Sequence, residues 1–218
     1  MIAGVRPEET DPTFAAFSQR YDASGEPVDD VVSLNAVPQL TETHPVVGVT
    51  SGTTWTGWTT LEDGYARIRR ALVDEAPIQL PTENSTGMAM GSDYRIPGAV
   101  LSLNTSGPNL ALYWLPEEGE LGEPLELMDD GALSRHSSAV SLLERPQAAA
   151  VIYQTLEGPD SRMIVSYLGI QGSEPLTVGS GLLPPYTPSI IYRGGVLMAA
   201  WTEPHPDTQY TVKMQRWQ

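Results

Sequence analysis

The apolar positions of this chain come in short runs that Gly and Pro residues interrupt. Residues 211–217 (TVKMQRW) alternate apolar and polar side chains, and residues 194–201 (GGVLMAAW) form a short apolar run after two glycines. Alternation with a period of two, bounded by turn-forming residues, predicts β-strands. Residues 65–75 tolerate a helix, but they fall where a strand is due in the repeat described next, so a strand is predicted there too.

A turn with Pro followed by an aliphatic residue recurs along the chain. Its copies are spaced 50, 47 and 51 residues apart, at Gly25-Glu26-Pro27-Val28, Asp74-Glu75-Ala76-Pro77-Ile78, Gly122-Glu123-Pro124-Leu125 and Ser173-Glu174-Pro175-Leu176. Two further landmarks recur in similar steps: an apolar run that begins near a Pro or His, and an apolar run that closes on a Trp or Tyr. A period near 49 residues with about four short strands per unit is typical of a propeller blade. The sequence therefore predicts an all-β fold, a β-propeller of about four to five four-stranded antiparallel blades, in one domain over residues 1–218.

The four strands of a unit are labelled A to D. Strand A follows the Pro or His landmark, strand B ends on the aromatic residue, and strand D follows the Glu-Pro turn. Strand C is predicted at 14–21, 65–72, 162–168 and 210–217. In the second full unit, only residues 116–121 separate strand B (110–114) from the next Glu-Pro turn. We expect a short or missing strand C there.

The two ends of the chain repeat each other. Residues 1–21 align without a gap on residues 197–217, at an offset of 196 residues or four repeats. The chain is therefore predicted to begin inside a strand B and to end after a strand C. Three arrangements remain open: an arc of a larger propeller, two chains that complete each other, or five blades of which the first lacks strand A and the last lacks strand D. Open strand edges tend to pair with another chain, so a protein partner or additional blades are expected to cover them.

The net charge of the chain limits the classes of partner that it is expected to bind. With 27 acidic and 12 basic residues the formal net charge is −15, which disfavours nucleic acid and anionic membrane surfaces. Cysteine is absent, which excludes disulfides and thiol chemistry. No run approaches the roughly 18 apolar residues of a membrane span, and residues 1–20 do not resemble a signal peptide. If the protein is exported, a signal peptide is not in this chain.

Sorting the acidic residues by connection predicts an acidic face. In an antiparallel A-B-C-D blade the B–C and D–A connections leave on one side, and the predicted strands put 17 of the 27 acids there. Such a face would attract Ca²⁺, a basic protein surface or a cationic ligand. The candidate ligand-binding residues on it are Glu62, Asp63, Glu117, Glu118, Asp160, Glu203 and Asp207.

An aromatic residue extends the candidate site. Trp55 is a second tryptophan in the strand that ends at Trp58. Together with Tyr94 and Tyr186, it is predicted to be placed where it can stack on a sugar. No catalytic motif is present, and adjacent carboxylates such as Glu62 and Asp63 do not by themselves make the geometry of a glycosidase. The leading hypothesis is a non-enzymatic binding or scaffold module. The alternative is a carbohydrate-active propeller, either a lectin-like binder or a glycosidase, and a third reading is a purely structural arc.

Residues 19–28 read Gln-Arg-Tyr-Asp-Ala-Ser-Gly-Glu-Pro-Val, with a truncated copy at Gln215-Arg216-Trp217. This Gln-Arg-aromatic-Asp-x-x-Gly-x-Pro pattern resembles the β-propeller repeats of large secreted or surface proteins of bacteria. The resemblance implies a β-propeller and an extracytoplasmic location. It implies no particular activity, because propellers serve in binding, scaffolding and hydrolysis.

Overall fold

A computed structural model describes residues 2–8, 11–34, 45–59, 65–70, 76–81, 87–104, 109–128, 132–145, 147–156, 162–169, 174–180, 188–205 and 209–218. The strands in this part of the chain are β1 (Ile2–Glu8), β2 (Asp11–Gln19), β3 (Val32–Ser33), β4 (Val46–Val49), β5 (Thr54–Thr59), β6 (Ala66–Arg70), β7 (Ile78–Gln79), β8 (Gly87–Gly91), β9 (Ala99–Asn104), β10 (Asn109–Leu115), β11 (Leu125–Met128), β12 (Ala132–Leu142), β13 (Ala149–Leu156), β14 (Arg162–Leu168), β15 (Leu176–Ser180), β16 (Ser189–Arg193), β17 (Val196–His205) and β18 (Gln209–Trp217).

Each sheet is built from strands that follow one another along the chain. In hydrogen-bonding order the sheets are β1-β2-β3, β4-β5-β6-β7, β8-β9-β10-β11, β12-β13-β14-β15 and β16-β17-β18, here called sheets 1 to 5. Every strand pair is antiparallel, which confirms the all-β prediction. In the described chain, sheets 1 and 5 have three strands and the inner three sheets have four.

Several predicted strands are confirmed. The segment that tolerates a helix contains β6, and the predicted strand at 162–168 coincides with β14. Among the described residues, sheet 1 begins with the strand equivalent to B and sheet 5 ends with the strand equivalent to C. The alignment does not extend to the pairing register: Ile2 pairs with Gln19, whereas Met198 pairs with Arg216, one residue beyond the position at the same offset.

The prediction for the second full unit was wrong. Sheet 3 has four strands, and its first strand is β8, a Gly-Met-Ala-Met-Gly segment without β-branched residues that the sequence pattern did not reveal. The apolar run after Pro97 is therefore the second strand, β9, and Leu110–Trp114 lies in the third, β10. Residues 116–124 connect the third strand to the fourth. They leave on the same side as the β8–β9 connection, opposite to the predicted acidic face.

The core lies between the faces of neighbouring sheets. In β9, Leu101 and Leu103 pack towards sheet 2, where they meet Trp55 and Ile68, while Val100 packs towards sheet 4. This alternation follows from the period of two along a strand. The other face of sheet 4 packs on sheet 5 through residues such as Ile152, Val165, Leu197 and Trp201. Sheets 2 to 5 are thus stacked in chain order, with a separate apolar cluster between each pair of neighbours.

The first strands of sheets 2 to 5 lie next to one another. The backbone N–H of Val49 donates to the Ser92 hydroxyl at 3.0 Å, and the N–H of Tyr192 donates to the Ser141 hydroxyl at 3.0 Å. Strand β12 packs against both β8 and β16. Adjacent sheets are therefore joined by polar contacts along one edge as well as by apolar packing. No helix among the described residues is long and apolar enough to cross a membrane.

Candidate binding cleft

The β10–β11 connection of sheet 3 is fastened to the β4–β5 turn of sheet 2 by one carboxylate. Glu117 Oε1 accepts hydrogen bonds from Thr50 Oγ1 at 3.0 Å, Ser51 Oγ at 2.8 Å and the Gly52 backbone N–H at 2.6 Å. A Cβ at Gly52 would lie 2.7 Å from Glu117 Oε2, so a larger residue there would displace this carboxylate. Donation from Ser51, then from Thr50 and Gly52, holds the pKa of Glu117 below its ordinary value.

Arg70 fixes the same connection through its backbone. Its Nη1 donates to the carbonyl oxygens of Glu117 and Gly119, at 3.1 and 3.2 Å. Its guanidinium carbon lies 5.8 Å from the centre of the Trp55 ring, within cation–π range. Strand β6 of sheet 2 thereby supports a connection that belongs to sheet 3. The position of residues 116–120 is set by the stacking of two sheets.

This connection forms one wall of a cleft of about 400 Å³ on the side of sheets 3 and 4 where the β8–β9 connection also lies. Its apolar lining includes Ile96, Pro97, Trp114, Pro116 and Leu142, and its polar lining includes Glu117, Glu120, Glu123 and Gln147. Trp114 is partly buried against the core between the sheets, whereas Glu120 and Glu123 are exposed. The cleft can take a group with an apolar stem or face whose polar end is cationic or rich in hydroxyl groups.

A second depression, also of about 400 Å³, lies where the first strands of sheets 2 to 5 meet. Arg95 Nε donates to Asp93 Oδ1 at 2.9 Å, and this bond, with a contribution from Arg193, lowers the pKa of Asp93 to about 2. Glu144 Oε1 lies 3.5 Å from Arg95 Nη2 and accepts the Gly194 N–H at 2.8 Å. These charges are paired with one another, so this depression lacks the excess of acidic groups found in the cleft.

The structure moves two predicted site residues to the other side of their sheet. Glu117 and Glu118 lie in the β10–β11 connection, not in a B–C connection, because the unrecognised strand β8 makes β9 the second strand and β10 the third. Asp93 moves for the same reason. The predicted count of acids on one face is therefore wrong for sheet 3. The Glu117 carboxylate is bound to the β4–β5 turn, while Glu118 is exposed.

Trp55 does not lie where a ligand could stack on it. Only 1 % of its surface is exposed, because its face of β5 packs on sheet 3. Glu203 lies near the end of β17 beside the β17–β18 turn, on the predicted side, where its Oε1 accepts the Trp201 indole N–H at 2.8 Å. Glu62, Asp63, Asp160 and Asp207 lie outside the described residues.

The acidic face is predicted to attract Ca²⁺. Among the residues that the structure describes, no group of three or more His, Asp or Glu side chains could hold a metal ion. Most candidate acids of the loops lie outside those residues, so the expected Ca²⁺ site stays a prediction. The cleft residues Trp114, Glu120 and Glu123 are not among the candidate site residues predicted from the sequence. The four glutamates at 117–123 are the sequence signal that could have identified the cleft, but the predicted strand order places this segment on the other side of the sheet.

No known family and no curated protein matches this chain. Among solved structures, it is similar to a triple mutant of AofleA from Arthrobotrys oligospora, with 11% identity and a TM-score of 0.55 over 99% of this chain and 69% of that chain. It also matches Trypanosoma rangeli sialidase (10% identity, TM-score 0.41, 94% of this chain and 39% of that one) and the β-propeller domain of Vanderwaltozyma polyspora Nup133 (9%, 0.35, 99% and 85%). At these identities, the similarity to AofleA shows a shared fold and nothing about activity.

Proposed function

We propose that this chain is a non-enzymatic binding module of the β-propeller type that takes up a basic segment of a protein partner in the cleft between sheets 3 and 4. Support for the propeller architecture comes from short antiparallel sheets, each completed before the next begins, stacked face to face in chain order. The proposal includes about four to five blades, which form a closed ring or an arc of one. It also includes an extracytoplasmic location, which the resemblance to bacterial propeller repeats supports.

The observation that carries the proposed function is the pairing of an apolar wall with exposed carboxylates. Trp114 and Pro116 line the cleft together with Glu120 and Glu123. The aliphatic stem of a lysine or arginine would pack on the apolar wall while its charged end meets the carboxylates. A net charge of −15 would also raise the encounter rate with a basic partner.

Glu117 has a positioning role in this proposal. Its carboxylate is already held by Thr50, Ser51 and Gly52, and so it fixes the wall that carries Glu120. The acidic-face residues Glu62, Asp63, Asp160 and Asp207 remain a proposed second contact region, for a partner or for Ca²⁺. A Ca²⁺ titration of the melting temperature tests that region: a saturable rise in the presence of Ca²⁺ but not of Mg²⁺ would support it.

The test of the cleft uses a fluorescently labelled hexalysine peptide and two double variants with the same charge change. Glu120→Gln/Glu123→Gln removes two carboxylates from the cleft, and Glu26→Gln/Asp30→Asn removes two exposed ones from sheet 1. We expect the cleft variant to weaken binding about tenfold, equivalent to about 1.4 kcal/mol, and the control to change it less than threefold. Equal losses in both variants would show that the peptide responds to net charge alone and would refute the cleft as the site.

A carbohydrate ligand is the alternative, and the partly buried Trp114 beside carboxylates favours it. An indole can stack on the C–H face of a sugar while carboxylates accept bonds from its hydroxyl groups. Such binding would be insensitive to salt, whereas binding of a basic segment weakens as salt rises. Sugar-specific capture on a glycan array, lost in Trp114→Leu, would support a lectin-like binder. Release of reducing sugar would indicate a glycosidase.

A further inference from the structure

The depression between the first strands of sheets 2 to 5 is a candidate site apart from the cleft. Its volume of about 400 Å³ lies at the small end of the range for ligand pockets. Strands β4, β8, β12 and β16 each contribute residues at or directly after their C-terminal ends. The Ser92 hydroxyl joins the β8 end to β4, and the Ser141 hydroxyl joins β12 to β16. The strand ends therefore form one surface whose parts are already held together.

The depression has an exposed apolar side next to a cation. Val49, Tyr94 and Ile191 line it and are exposed to solvent. In β16, Ile191 and Arg193 are exposed, whereas Tyr192 between them packs against the core between sheets 4 and 5. The pleat of the strand therefore places Ile191 and Arg193 on the same face. Apolar surface combined with a few polar groups in a concave place is the usual composition of a small-molecule site.

Arg193 is the charge of this depression that lacks a close counter-ion. Both oxygens of Asp93 are bound by Arg95, with Nε donating to Oδ1 at 2.9 Å and Nη2 donating to Oδ2 at 2.5 Å. Arg193 acts on the charge of Asp93 only from a longer distance, and in the described part of the chain no carboxylate forms an ion pair with it. Two arginines and one carboxylate thus line the depression, in a chain of net charge −15.

The Tyr94 ring is held beside these charges by Arg95. The guanidinium carbon of Arg95 lies 5.8 Å from the centre of the ring. Arg95 is itself fixed by Asp93 and lies 3.5 Å from Glu144 Oε1. With 71% of its surface exposed, Tyr94 can still stack on an aromatic or aliphatic group. The depression therefore presents an aromatic ring whose position is set before a ligand arrives.

We propose that this depression binds a small organic acid, whose single carboxylate pairs with Arg193 and whose aromatic or aliphatic body packs on Tyr94 and Ile191. A guanidinium group can hold a carboxylate through two parallel N–H···O bonds. A dianion such as phosphate fits less well, because Asp93 and Glu144 would repel its second charge. The ligand of the cleft has the opposite charge, so this site goes beyond the proposed function and does not rest on it.

The probe is 3-phenylpropionate, which carries one carboxylate and one ring, and its neutral control is 3-phenylpropionamide. Backbone amide shifts of the full, ¹⁵N-labelled chain are followed by NMR at constant ionic strength. We expect saturable shifts at residues 92–95 and 191–193 but not at residues 117–123 of the cleft. For a ligand of about eleven non-hydrogen atoms the dissociation constant should be about 1 mM. The amide should bind about tenfold more weakly, because it lacks the charge-assisted bonds.

Two variants with the same charge change locate the carboxylate. Arg193→Gln should weaken binding of the acid about tenfold and remove the preference for the acid over the amide. Arg216→Gln removes an exposed charge from β18 of the same sheet and should change binding less than about threefold, because distant exposed charges are screened. Tyr94→Leu should weaken binding of the acid and the amide alike, since it removes only the ring contact.

The proposal is overturned by the absence of saturable shifts, by shifts confined to residues 117–123, by equal losses in Arg193→Gln and Arg216→Gln, or by equal binding of acid and amide. Phosphate binding more tightly than 3-phenylpropionate would make the ligand a dianion and would overturn it too. So would an acetylated tetrapeptide ending in a free Phe carboxylate that binds where 3-phenylpropionate does not, because the occupant would then be a polypeptide terminus. Glu120→Gln/Glu123→Gln should bind the probe normally, so this proposal and the cleft proposal can fail independently.

Discussion

The contact between β8 and β12 can be tested with one methyl group. Gly91 is buried at the end of β8, and a Cβ there would lie 2.8 Å from the Val140 carbonyl oxygen and 3.1 Å from Val100 Cγ1. Since the closest atom belongs to the backbone of β12, no side-chain rotation can relieve the overlap. Gly91→Ala must therefore push sheets 3 and 4 apart. Overpacking of this kind costs about 1–3 kcal/mol, which for a chain of this size lowers the melting temperature by roughly 2–12 °C.

Differential scanning calorimetry of Gly91→Ala against Gly122→Ala measures this cost. A Cβ at Gly122 would have no heavy atom within 4 Å, so its Ala variant keeps the wild-type melting temperature or gains slightly from a less flexible unfolded state. The comparison cancels the effect of Gly→Ala on the unfolded chain. If Gly91→Ala melts at or above the temperature of Gly122→Ala, β8 does not pack closely against β12, and the assignment of β8 as the first strand of sheet 3 loses its support.

Two further predictions concern the same part of the molecule. Leu112 and Leu125 are paired across β10 and β11, but Leu112 is 1 % exposed and Leu125 is 46 % exposed. In denaturant unfolding, Leu112→Ala should therefore lower the free energy of unfolding by about 2–5 kcal/mol and Leu125→Ala by about 0.5 kcal/mol. Similar losses for the two variants would contradict the placement of the core. The lowered pKa of Glu117 means that its carboxylate contributes stability above its ordinary pKa, and this contribution is lost as the pH falls through the lower folded value. Glu117→Gln should therefore show a shallower fall in melting temperature than the wild type between about pH 5 and pH 3, and parallel curves would refute the role of this carboxylate.

Much of the fold could be predicted because strands and turns are local features. The apolar runs at 162–168 and 210–217 lie where the repeat placed them, in β14 and β18. Strand β8 was missed because Gly-Met-Ala-Met-Gly lacks the β-branched side chains that mark a strand. It is held instead by its neighbours: Met88 and Met90 pack on the core between sheets 2 and 3, and Gly91 allows the close approach of β12.

That one omission changed the candidate site. Once β8 is counted, β9 and β10 become the second and third strands of the unit, and Glu117 and Glu118 therefore leave the predicted acidic face. Trp55 was predicted as an additional exposed indole, yet it fills the space between sheets 2 and 3. A sequence pattern identifies an aromatic residue, but whether it is exposed depends on the sheet that packs against it.

The sequence by itself determined the β-strand content, the repeat of about 49 residues and the acidic character, since each follows from local pattern or composition. Only the tertiary structure decided which connections share a side, which glutamate is bound to the neighbouring sheet and which glutamates line the cleft. The physical reason is that these features arise between sheets. Glu117 is held by residues 65 to 67 positions away, and no local preference encodes contacts over that separation.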